Sequence, residues 1–349
     1  MSTDGEARRI PTIYDVAAAA GVSPSTVSRA LARPGRVSAE TAERVREVAA
    51  EIGYRRSAVA PALGVVPSKL LAMVVADIGN PLFVDVFRGA EVAAGRAGYT
   101  MLLFDAREAE SRERAAAESF LDFVEGFILA SPRMSDSALL RLAKQRPVVV
   151  LNRMVSGLPS VLTDGARGVR RVAEHLGSLG HREVAYIGGP EASWADGVRW
   201  RGLQEAGEEL ALRVRRIGPN EPTVVGGELV AARWSRSQVT AVVTFNDVMA
   251  IGFVRGLRAQ GLEVPTDVSV VGFDNSRLGA LATPAITSVA SPLALQGRTA
   301  VGNLLAIVKG ARPPRQPVLL PVKLVPREST GPVGGASGGP AGGASPHVG

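Results

Sequence analysis

Residues 12–31 read TIYDVAAAAGVSPSTVSRAL and predict two short helices joined by a tight turn. Thr12 stands where it can cap the first helix, with Asp15 at the third helical position, and Ser23 stands where it can cap the second. Gly21 falls between the two helices and supplies the turn. This arrangement is typical of a motif that places its second helix in the major groove of DNA.

Apolar residues at helical spacing extend the motif to a core of three helices. They are Val16, Ala17 and Ala20 in the first helix, Val27, Ala30 and Leu31 in the second, and Val45, Val48, Ala49 and Ile52 in the third. Ser38 caps the third helix and Gly53 ends it. The second helix keeps Ser25, Ser28 and Arg29 on its outer face, which favours DNA reading over a helical bundle without a ligand.

Three stretches carry a resemblance to a known family: Tyr14-Asp-Val-Ala, Gly21-Val-Ser and Thr26-Val-Ser-Arg. In this order and spacing they resemble the headpiece of the lactose/galactose-repressor family of bacterial transcription regulators. Arg29 is the candidate for a bidentate contact to guanine and Ser25 is the second reader. The full set of predicted DNA-binding residues is Tyr14, Ser23, Pro24, Ser25, Thr26, Ser28, Arg29, Ser38, Tyr54, Ser57, Ala60 and Leu63.

The segment after the headpiece departs from the family pattern. The resemblance implies a short helix there that enters the minor groove, with Ala60 and Leu63 as the matching residues and Leu63 as the wedge. Pro61 interrupts this helix, because a proline inside a helix removes a hydrogen bond and costs about 3 kcal/mol. We therefore predict that the segment either forms a helix that begins further along the sequence or stays partly extended.

Length and charge fit a protein with an acidic partner. The chain has 349 residues, a net charge of +7 and 46% hydrophobic residues, which suits a small headpiece and a larger core. Between residues 8 and 36 there are five arginines and a single acidic residue, so positive charge overlaps the predicted reading helix. A solvated basic face is the alternative reading of that charge.

Several classes of protein are disfavoured by what the sequence lacks. It has no cysteine and three histidines without metal-ligand spacing, so we predict no disulfide, no metal and no cofactor. No catalytic triad, carboxylate pair or phosphate loop is present, which argues against an enzyme. The N-terminus is polar and no apolar run approaches 18 residues, which predicts a cytoplasmic protein that does not enter a membrane.

Short apolar runs alternate with helical patterns after the headpiece and predict parallel sheets covered by helices on both faces. The predicted strands are 70–76, 101–104, 127–130, 148–151, 184–187, 241–244 and 268–271, and two of the predicted helices are 83–97 and 168–179. The fold class is thus an all-α headpiece followed by an α/β core of two doubly wound lobes. The predicted domains are a flexible arm (1–11), the headpiece (12–54), a hinge connector (55–66), the core (67–329) and a disordered tail (330–349).

The resemblance continues through the core, from Asn80-Pro81 to Gly272-Phe-Asp274, and covers roughly residues 12–329. It implies a core similar to periplasmic sugar-binding proteins, in which the chain crosses three times between two lobes. The first lobe would contain residues 67–163 and 290–320. The second would contain residues 164–289 and a final strand near 321–329.

Polar residues at the carboxyl ends of the strands predict a ligand in the cleft. The predicted ligand-binding residues are Asn80, Phe83, Asn152, Arg199, Asn246 and Asp274, and Phe83, Trp194 or Phe245 can pack on a ring. Such a set matches the hydroxyl groups of a sugar. The alternative for Asn246 is a helix cap, and Asp274 can equally cap a loop.

These observations predict a dimeric repressor that binds a pseudo-palindromic operator in double-stranded DNA under the control of a sugar-like effector. A dimer is expected because the tail lacks the apolar heptads that assemble tetramers. A regulator that depends on a purine or another corepressor is the alternative within the same class. A solute-binding protein for transport is the alternative from another class, but it requires an export signal and no headpiece.

Overall fold

A computed structural model describes residues 12–32, 37–52, 68–234, 239–314 and 316–334 of the chain. The chain divides into two compact units, Met1–Ser68 and Lys69–Gly349. Each unit has its own hydrophobic core.

The first unit contains three helices: α1 (Ile13–Ala20), α2 (Pro24–Ala32) and α3 (Ala39–Glu51). Their predicted apolar faces meet in one core, in which Val16, Val27 and Val45 are fully buried. Gly21 has a φ of 64° after α1, a left-handed conformation that glycine adopts without strain. The predicted helix-turn-helix is confirmed.

The second unit begins with a parallel six-stranded sheet covered on both faces, the first lobe. Its strands lie in the order β11-β5-β4-β3-β1-β2. The elements of this lobe are β1 (Leu70–Val75), α4 (Pro81–Arg96), β2 (Thr100–Asp105), α5 (Glu110–Phe120), β3 (Gly126–Ala130), α6 (Asp136–Ala143), β4 (Val148–Leu151), β5 (Ser160–Thr163), α12 (Leu293–Val308) and β11 (Val318–Leu320). Gly89 and Gly297 let the backbones of α4 and α12 approach closely, because a Cβ at either would clash with the other helix.

The second lobe repeats this design with the strand order β12-β10-β9-β8-β6-β7. Its last strand, β12, is antiparallel to β10 and the others are parallel. The elements are α7 (Gly165–Ser178), β6 (Glu183–Ile187), α8 (Trp194–Glu209), β7 (Arg213–Ile217), α9 (Val224–Ala232), β8 (Ala241–Thr244), α10 (Asp247–Arg258), β9 (Ser269–Asp274), α11 (Arg277–Leu281), β10 (Thr287–Ala290) and β12 (Lys323–Val325).

The predicted α/β core of two lobes is confirmed, and the chain crosses between the sheets three times. It leaves the first sheet after β5, returns to it after β10 and leaves it again after β11. All seven predicted strands exist, with bounds that shift by up to three residues. The sequence did not predict β5, β7, β10 and β11. The strand β7 was missed because its solvent-exposed arginines hide the apolar pattern of a buried strand.

The start of the predicted disordered tail at residue 330 needs correction. Val333 N donates to Leu179 O at 3.0 Å, and Thr330 Oγ1 lies 3.0 Å from His175 Nε2. Gly331 O lies 3.1 Å from His181 Nε2. These contacts anchor residues 330–333 to the second lobe, and residues 335–349 lie outside the described part of the chain.

Candidate functional sites

The headpiece helices are set by capping side chains at their N-termini. Asp15 Oδ2 accepts hydrogen bonds from Thr12 N and Thr12 Oγ1, both at 2.6 Å. Thr26 N donates to Ser23 Oγ at 3.2 Å, and Thr41 N donates to Ser38 Oγ at 3.3 Å. The three predicted caps are therefore present, and each stabilises the start of its own helix.

Arg29 and Ser25 lie one turn apart on the exposed face of α2. Arg29 Nε donates to Ser25 O at 3.1 Å, and Arg29 Nη2 lies 3.2 Å from Ser25 Oγ. Ser25 Oγ in turn lies 2.9 Å from Ser23 Oγ. The guanidinium and hydroxyl groups form one polar edge that is open to solvent, as a surface that reads base edges requires.

The other predicted DNA-binding residues divide into two groups. Tyr14 is 66% exposed, Ser38 is exposed, and Pro24, Thr26 and Ser28 are half-buried along α2. Tyr54, Ser57, Ala60 and Leu63, together with Pro61, lie outside the described residues. Tyr14, Ser23, Ser25, Arg29 and Ser38 are therefore solvent-exposed in the headpiece, and the predicted hinge helix stays a prediction.

A cavity lies between the two lobes of the core. It encloses about 40 Å³ and is lined by both lobes. Five of the six predicted ligand-binding residues line it: Asn80, Phe83, Asn152, Arg199 and Asp274. Phe245 lines it as well, whereas Trp194 does not belong to the lining.

Arg199 and Asp274 form the charged centre of this cavity. Arg199 Nη2 lies 3.8 Å from Asp274 Oδ1, and Arg199 Nη1 donates to Phe245 O. The guanidinium lies 3.9 Å from the centre of the Phe273 ring and 5.0 Å from that of Phe245, so two aromatic faces hold it. Arg199 is 7% exposed, and its Nε has no partner among the described residues.

Asp274 is held in an unusual backbone conformation, with a φ of 96°. Burial raises the pKa of its carboxyl group, and the nearby Arg199 and Asn80 oppose that rise. Asn80 Nδ2 donates to Asp274 Oδ2 at 3.4 Å, and this bond joins the two lobes. A non-glycine residue with this φ is strained, and such strain is typical of functional sites.

Asn246 does not face the cavity. Its Oδ1 accepts from Met249 N at 2.8 Å and its Nδ2 donates to Pro222 O at 3.1 Å, in a residue that is fully buried. Both ends of the amide are therefore used, and the structure favours the capping alternative for this residue. The capping bond fixes the start of α10 rather than offering a group to a ligand.

Asn152 lines the cavity although both ends of its amide make hydrogen bonds within the protein. Its Oδ1 accepts from Gln296 Nε2 at 2.8 Å and its Nδ2 donates to Ser131 Oγ at 3.2 Å. Gln296 Oε1 is buried and has no partner among the described residues. The hydroxyl group of Ser131 lines the cavity beside it.

Several lining residues were not predicted from the sequence: Asp77, Glu108, Ser131, Arg133, Ser193 and Pro222. Asp77 follows β1 and Ser131 follows β3, so the rule that ligands lie beyond strand ends would have found both. Arg133 is placed by tertiary contacts, because its Nε donates to Glu108 Oε2 at 2.6 Å. Its backbone N donates to the buried Glu113, whose pKa burial raises.

Asp247 lies behind the cavity and is almost fully buried. Its Oδ1 accepts from Ser288 Oγ and its Oδ2 accepts from Ser276 N, both at 2.6 Å. Burial and the neighbouring Asp274 raise its pKa to about 7. Asp247 thereby ties α10 to the loop that carries Asp274.

Two features are absent from the part of the chain that the structure describes: a metal site and a membrane-spanning helix. No cluster of His, Asp and Glu side chains there could hold a metal ion. No helix within those same ranges combines the length and apolar character needed to cross a bilayer.

Sequence comparison places both units among known proteins. The profile of the family "Bacterial regulatory proteins, lacI family" matches residues 12–57, and that of the "Periplasmic binding protein-like domain" matches residues 173–330. The HTH-type transcriptional regulator DegA of Bacillus subtilis (strain 168) is 33% identical over 333 residues, which cover 92% of this chain and 98% of DegA.

Solved structures of regulators are similar to this chain over most of its length. A Lac repressor dimer bound to operator and the anti-inducer ONPF has a TM-score of 0.73 at 26% identity, covering 93% of this chain and 100% of that one. A complex of the transcriptional regulator CelR with cellobiose has a TM-score of 0.68 at 28% identity, covering 91% of this chain and 99% of that one.

Proposed function

Because the chain belongs to the lacI family of bacterial regulatory proteins and is a DNA-binding transcription regulator, we propose that it is a dimeric repressor whose binding to its operator is controlled by a sugar-like effector. Two headpieces on a two-fold dimer read a pseudo-palindromic operator. The protein acts in the cytoplasm, where its DNA is. The relatives named above are regulators, which supports this role over an enzymatic one.

The observation that carries the effector proposal is the group formed by Asn80, Arg199 and Asp274. A guanidinium, a carboxylate and an amide from both lobes converge on one cavity. Arg donates in a fork, Asp accepts and Asn does both, so the set matches adjacent hydroxyl groups. Phe83 and Phe245 supply apolar faces on which a sugar ring packs. The relative bound to cellobiose supports this class of ligand.

The exposed side chains of the headpiece take different roles on DNA. Arg29 contacts guanine and Ser25 contacts a neighbouring base edge, because they form the exposed edge of α2. Tyr14, Ser23, Thr26 and Ser38 position the phosphate backbone, and Pro24 and Ser28 complete the surface of α2. Tyr54, Ser57, Ala60 and Leu63 approach the centre of the operator.

Control by the effector requires that it bind the two arrangements of the lobes with different affinity. The hydrogen bond from Asn80 to Asp274 joins the lobes through the same atoms that a sugar hydroxyl would contact. Effector binding therefore exchanges this bond for bonds to ligand and changes how the lobes meet. That change alters the spacing of the two headpieces in a dimer.

A thermal-shift screen of the full chain against sugars, sugar phosphates and purines tests the proposal. A ligand present at 100 times its Kd stabilises the protein by about 2.7 kcal/mol, which raises Tm measurably. The expected result is a shift with neutral sugars, a matching change in operator affinity by fluorescence anisotropy, and a dimer in analytical ultracentrifugation. A shift with purines alone overturns the sugar assignment and favours the corepressor alternative.

A further inference from the structure

The cleft continues outward from the inner cavity into a larger one, which we call the outer cavity. The outer cavity measures about 630 Å³. It shares Asp77, Glu108 and Pro222 with the inner cavity, so the two cavities adjoin at these residues. Small-molecule sites commonly measure about 300–1,000 Å³, and the outer cavity falls within that range whereas the inner cavity is far smaller.

Carboxylates dominate the polar lining of the outer cavity. Asp77, Asp105, Glu108 and Glu221 line it, and Arg107 is the single cationic side chain among the described residues of its wall. Asp105 is fixed in place, because its Oδ1 accepts from the backbone N of Ile78 at 3.1 Å and of Arg107 at 3.2 Å. Asp105 Oδ2 lies 3.5 Å from Arg107 Nε, and Glu108 Oε2 lies 2.6 Å from Arg133 Nε. Asp77 and Glu221 have no ion pair among the described residues, so they disfavour a negatively charged ligand group and accept hydrogen bonds from a neutral one.

Asn220 adds a preorganised acceptor on the second-lobe side of the outer cavity. Its Nδ2 donates to Gly188 O at 3.1 Å and to Ile217 O at 3.0 Å, and both bonds fix the orientation of the amide. Its Oδ1 accepts no hydrogen bond from the described residues, in a side chain that lines the cavity. Hydroxyl groups can donate to an oxygen held in this way without reordering the protein.

Three proline rings provide the apolar part of the wall. Pro190, Pro219 and Pro222 line the outer cavity on the side of the second lobe, opposite Asp105 and Arg107 of the first. Asn220 and Glu221 stand between two of these prolines, so acceptors lie on both sides of the cavity and the second-lobe side adds carbon surface. This mixture matches a sugar ring, whose hydroxyl edge donates and whose C–H face packs against carbon.

An independent observation connects the outer cavity to the inner one. Arg199 is 7% exposed and lines the inner cavity, and its Nε is buried without a partner among the described residues. An unpaired buried N–H costs free energy unless a ligand atom satisfies it. A ligand that reaches Arg199 and is larger than the inner cavity must extend outward past Asp77 and Glu108.

We propose that the outer cavity is a second sugar subsite, and that the effector is a neutral oligosaccharide of at least two rings. One ring reaches Asn80, Arg199 and Asp274, and the next lies between the carboxylates and the prolines of the outer cavity. The inference rests on the proposed function, in which a sugar occupies the inner cavity. It excludes sugar phosphates, because a phosphate on the outer ring would meet the carboxylate wall.

Calorimetry on the full chain with matched saccharides tests the subsite. The probes are glucose with cellobiose and maltose, galactose with lactose and melibiose, and xylose with xylobiose. Each disaccharide is also tested in a form whose reducing end is oxidised to a carboxylate. The expected result is a disaccharide that binds at least ten-fold tighter than its monosaccharide, and at least ten-fold tighter than its oxidised form.

Two variants and a matched control assign that gain to the outer cavity. N220A removes the fixed acceptor and E221Q removes one carboxylate, so each should bring the ratio of disaccharide to monosaccharide affinity towards one. E221Q should also improve binding of the oxidised disaccharide. E208Q makes the same chemical change on the exposed end of α8, outside the cavity lining, and should leave the ratio unchanged.

The possible failures are distinguishable. A monosaccharide that binds as tightly as its disaccharide overturns the second subsite and leaves the proposed function intact. Tighter binding of the oxidised form overturns the argument from charge and with it the neutral ligand. An absence of binding by every saccharide of either size overturns the sugar effector itself and this inference with it.

Discussion

Asn80 Nδ2 lies 3.4 Å from Asp274 Oδ2, and this hydrogen bond links two residues that are 194 positions apart in the chain and belong to different lobes. Asn80 has a second role, because its Oδ1 caps α4 by accepting from Leu82 N at 3.0 Å. One amide therefore fixes the start of a helix in the first lobe and contacts the carboxylate of the second.

The variant N80S separates these two roles of Asn80. Serine keeps an oxygen that can cap α4, so Tm should change little. Serine lacks the amide N–H that donates to Asp274 and that the proposed exchange transfers to an effector hydroxyl, and leaving a buried polar group without its partner costs about 1–3 kcal/mol. We expect effector affinity to fall by about ten- to one-hundred-fold in calorimetry. Unchanged affinity would show that Asn80 serves only as a cap.

Asp247 should make the stability of the second lobe depend on pH. Its folded-state pKa is raised to about 7 from an ordinary value near 3.8, so the folded state holds the proton more tightly. The raised pKa therefore lowers stability progressively as pH increases from about 4 to about 7, by up to about 4 kcal/mol.

Replacing Asp247 by asparagine should remove that contribution. D247N cannot ionise, so the difference in stability between variant and wild type should grow in favour of the variant as pH rises from 5 to 7.5. Urea unfolding followed by tryptophan fluorescence is suited to this measurement, because Trp194, Trp200 and Trp234 all lie in the second lobe. Parallel stability curves for the two proteins would contradict the prediction.

Arg327 should position Asp274 although it does not line the cavity. Arg327 Nη2 donates to Asn275 Oδ1 at 2.5 Å, and Arg327 Nη1 donates to Ile286 O at 2.7 Å. Asn275 follows Asp274 and shares its left-handed backbone, with a φ of 55°. R327A should release this strained pair and weaken effector binding by about ten-fold, about 1.4 kcal/mol.

A double-mutant cycle distinguishes positioning by Arg327 from a general loss of stability. In a D274N background the carboxylate to be positioned is absent, so R327A should cost little further affinity. Additive losses in the cycle would contradict the positioning role. K323A, which removes an exposed cation from β12, is the matched control and should bind effector as wild type does.

Arg29 should determine one base of each half-site. R29A should weaken binding to the operator by about 1–3 kcal/mol and relax the preference at one position, with non-specific binding retained. Anisotropy titrations with an operator and its single-base variants measure both quantities. R46A is the matched control, since Arg46 is exposed on α3 and paired with Glu43. Equal losses on all sequences would identify Arg29 as a phosphate contact.

The sequence by itself determined the headpiece and the layer structure of the core. Capping pairs such as Thr12 with Asp15 act over three residues, and the apolar faces of α1 to α3 repeat every three or four. Buried parallel strands such as β4 and β8 read as continuous apolar runs. Interactions of this kind act between residues that are close in sequence, so the sequence alone predicts them. The rule that ligands bind beyond strand ends then located most of the inner cavity.

The tertiary structure decided which of those polar residues meet. Asn246 and Asp274 both lie at the carboxyl ends of buried strands. The amide of Asn246 nevertheless bonds to Met249 and Pro222, whereas Asp274 faces Asn80 and Arg199. The outer cavity likewise combines loops from both lobes that no local pattern connects. Such contacts depend on how two separately folded sheets are oriented, which is set by packing over more than a hundred residues rather than by the residues beside each site.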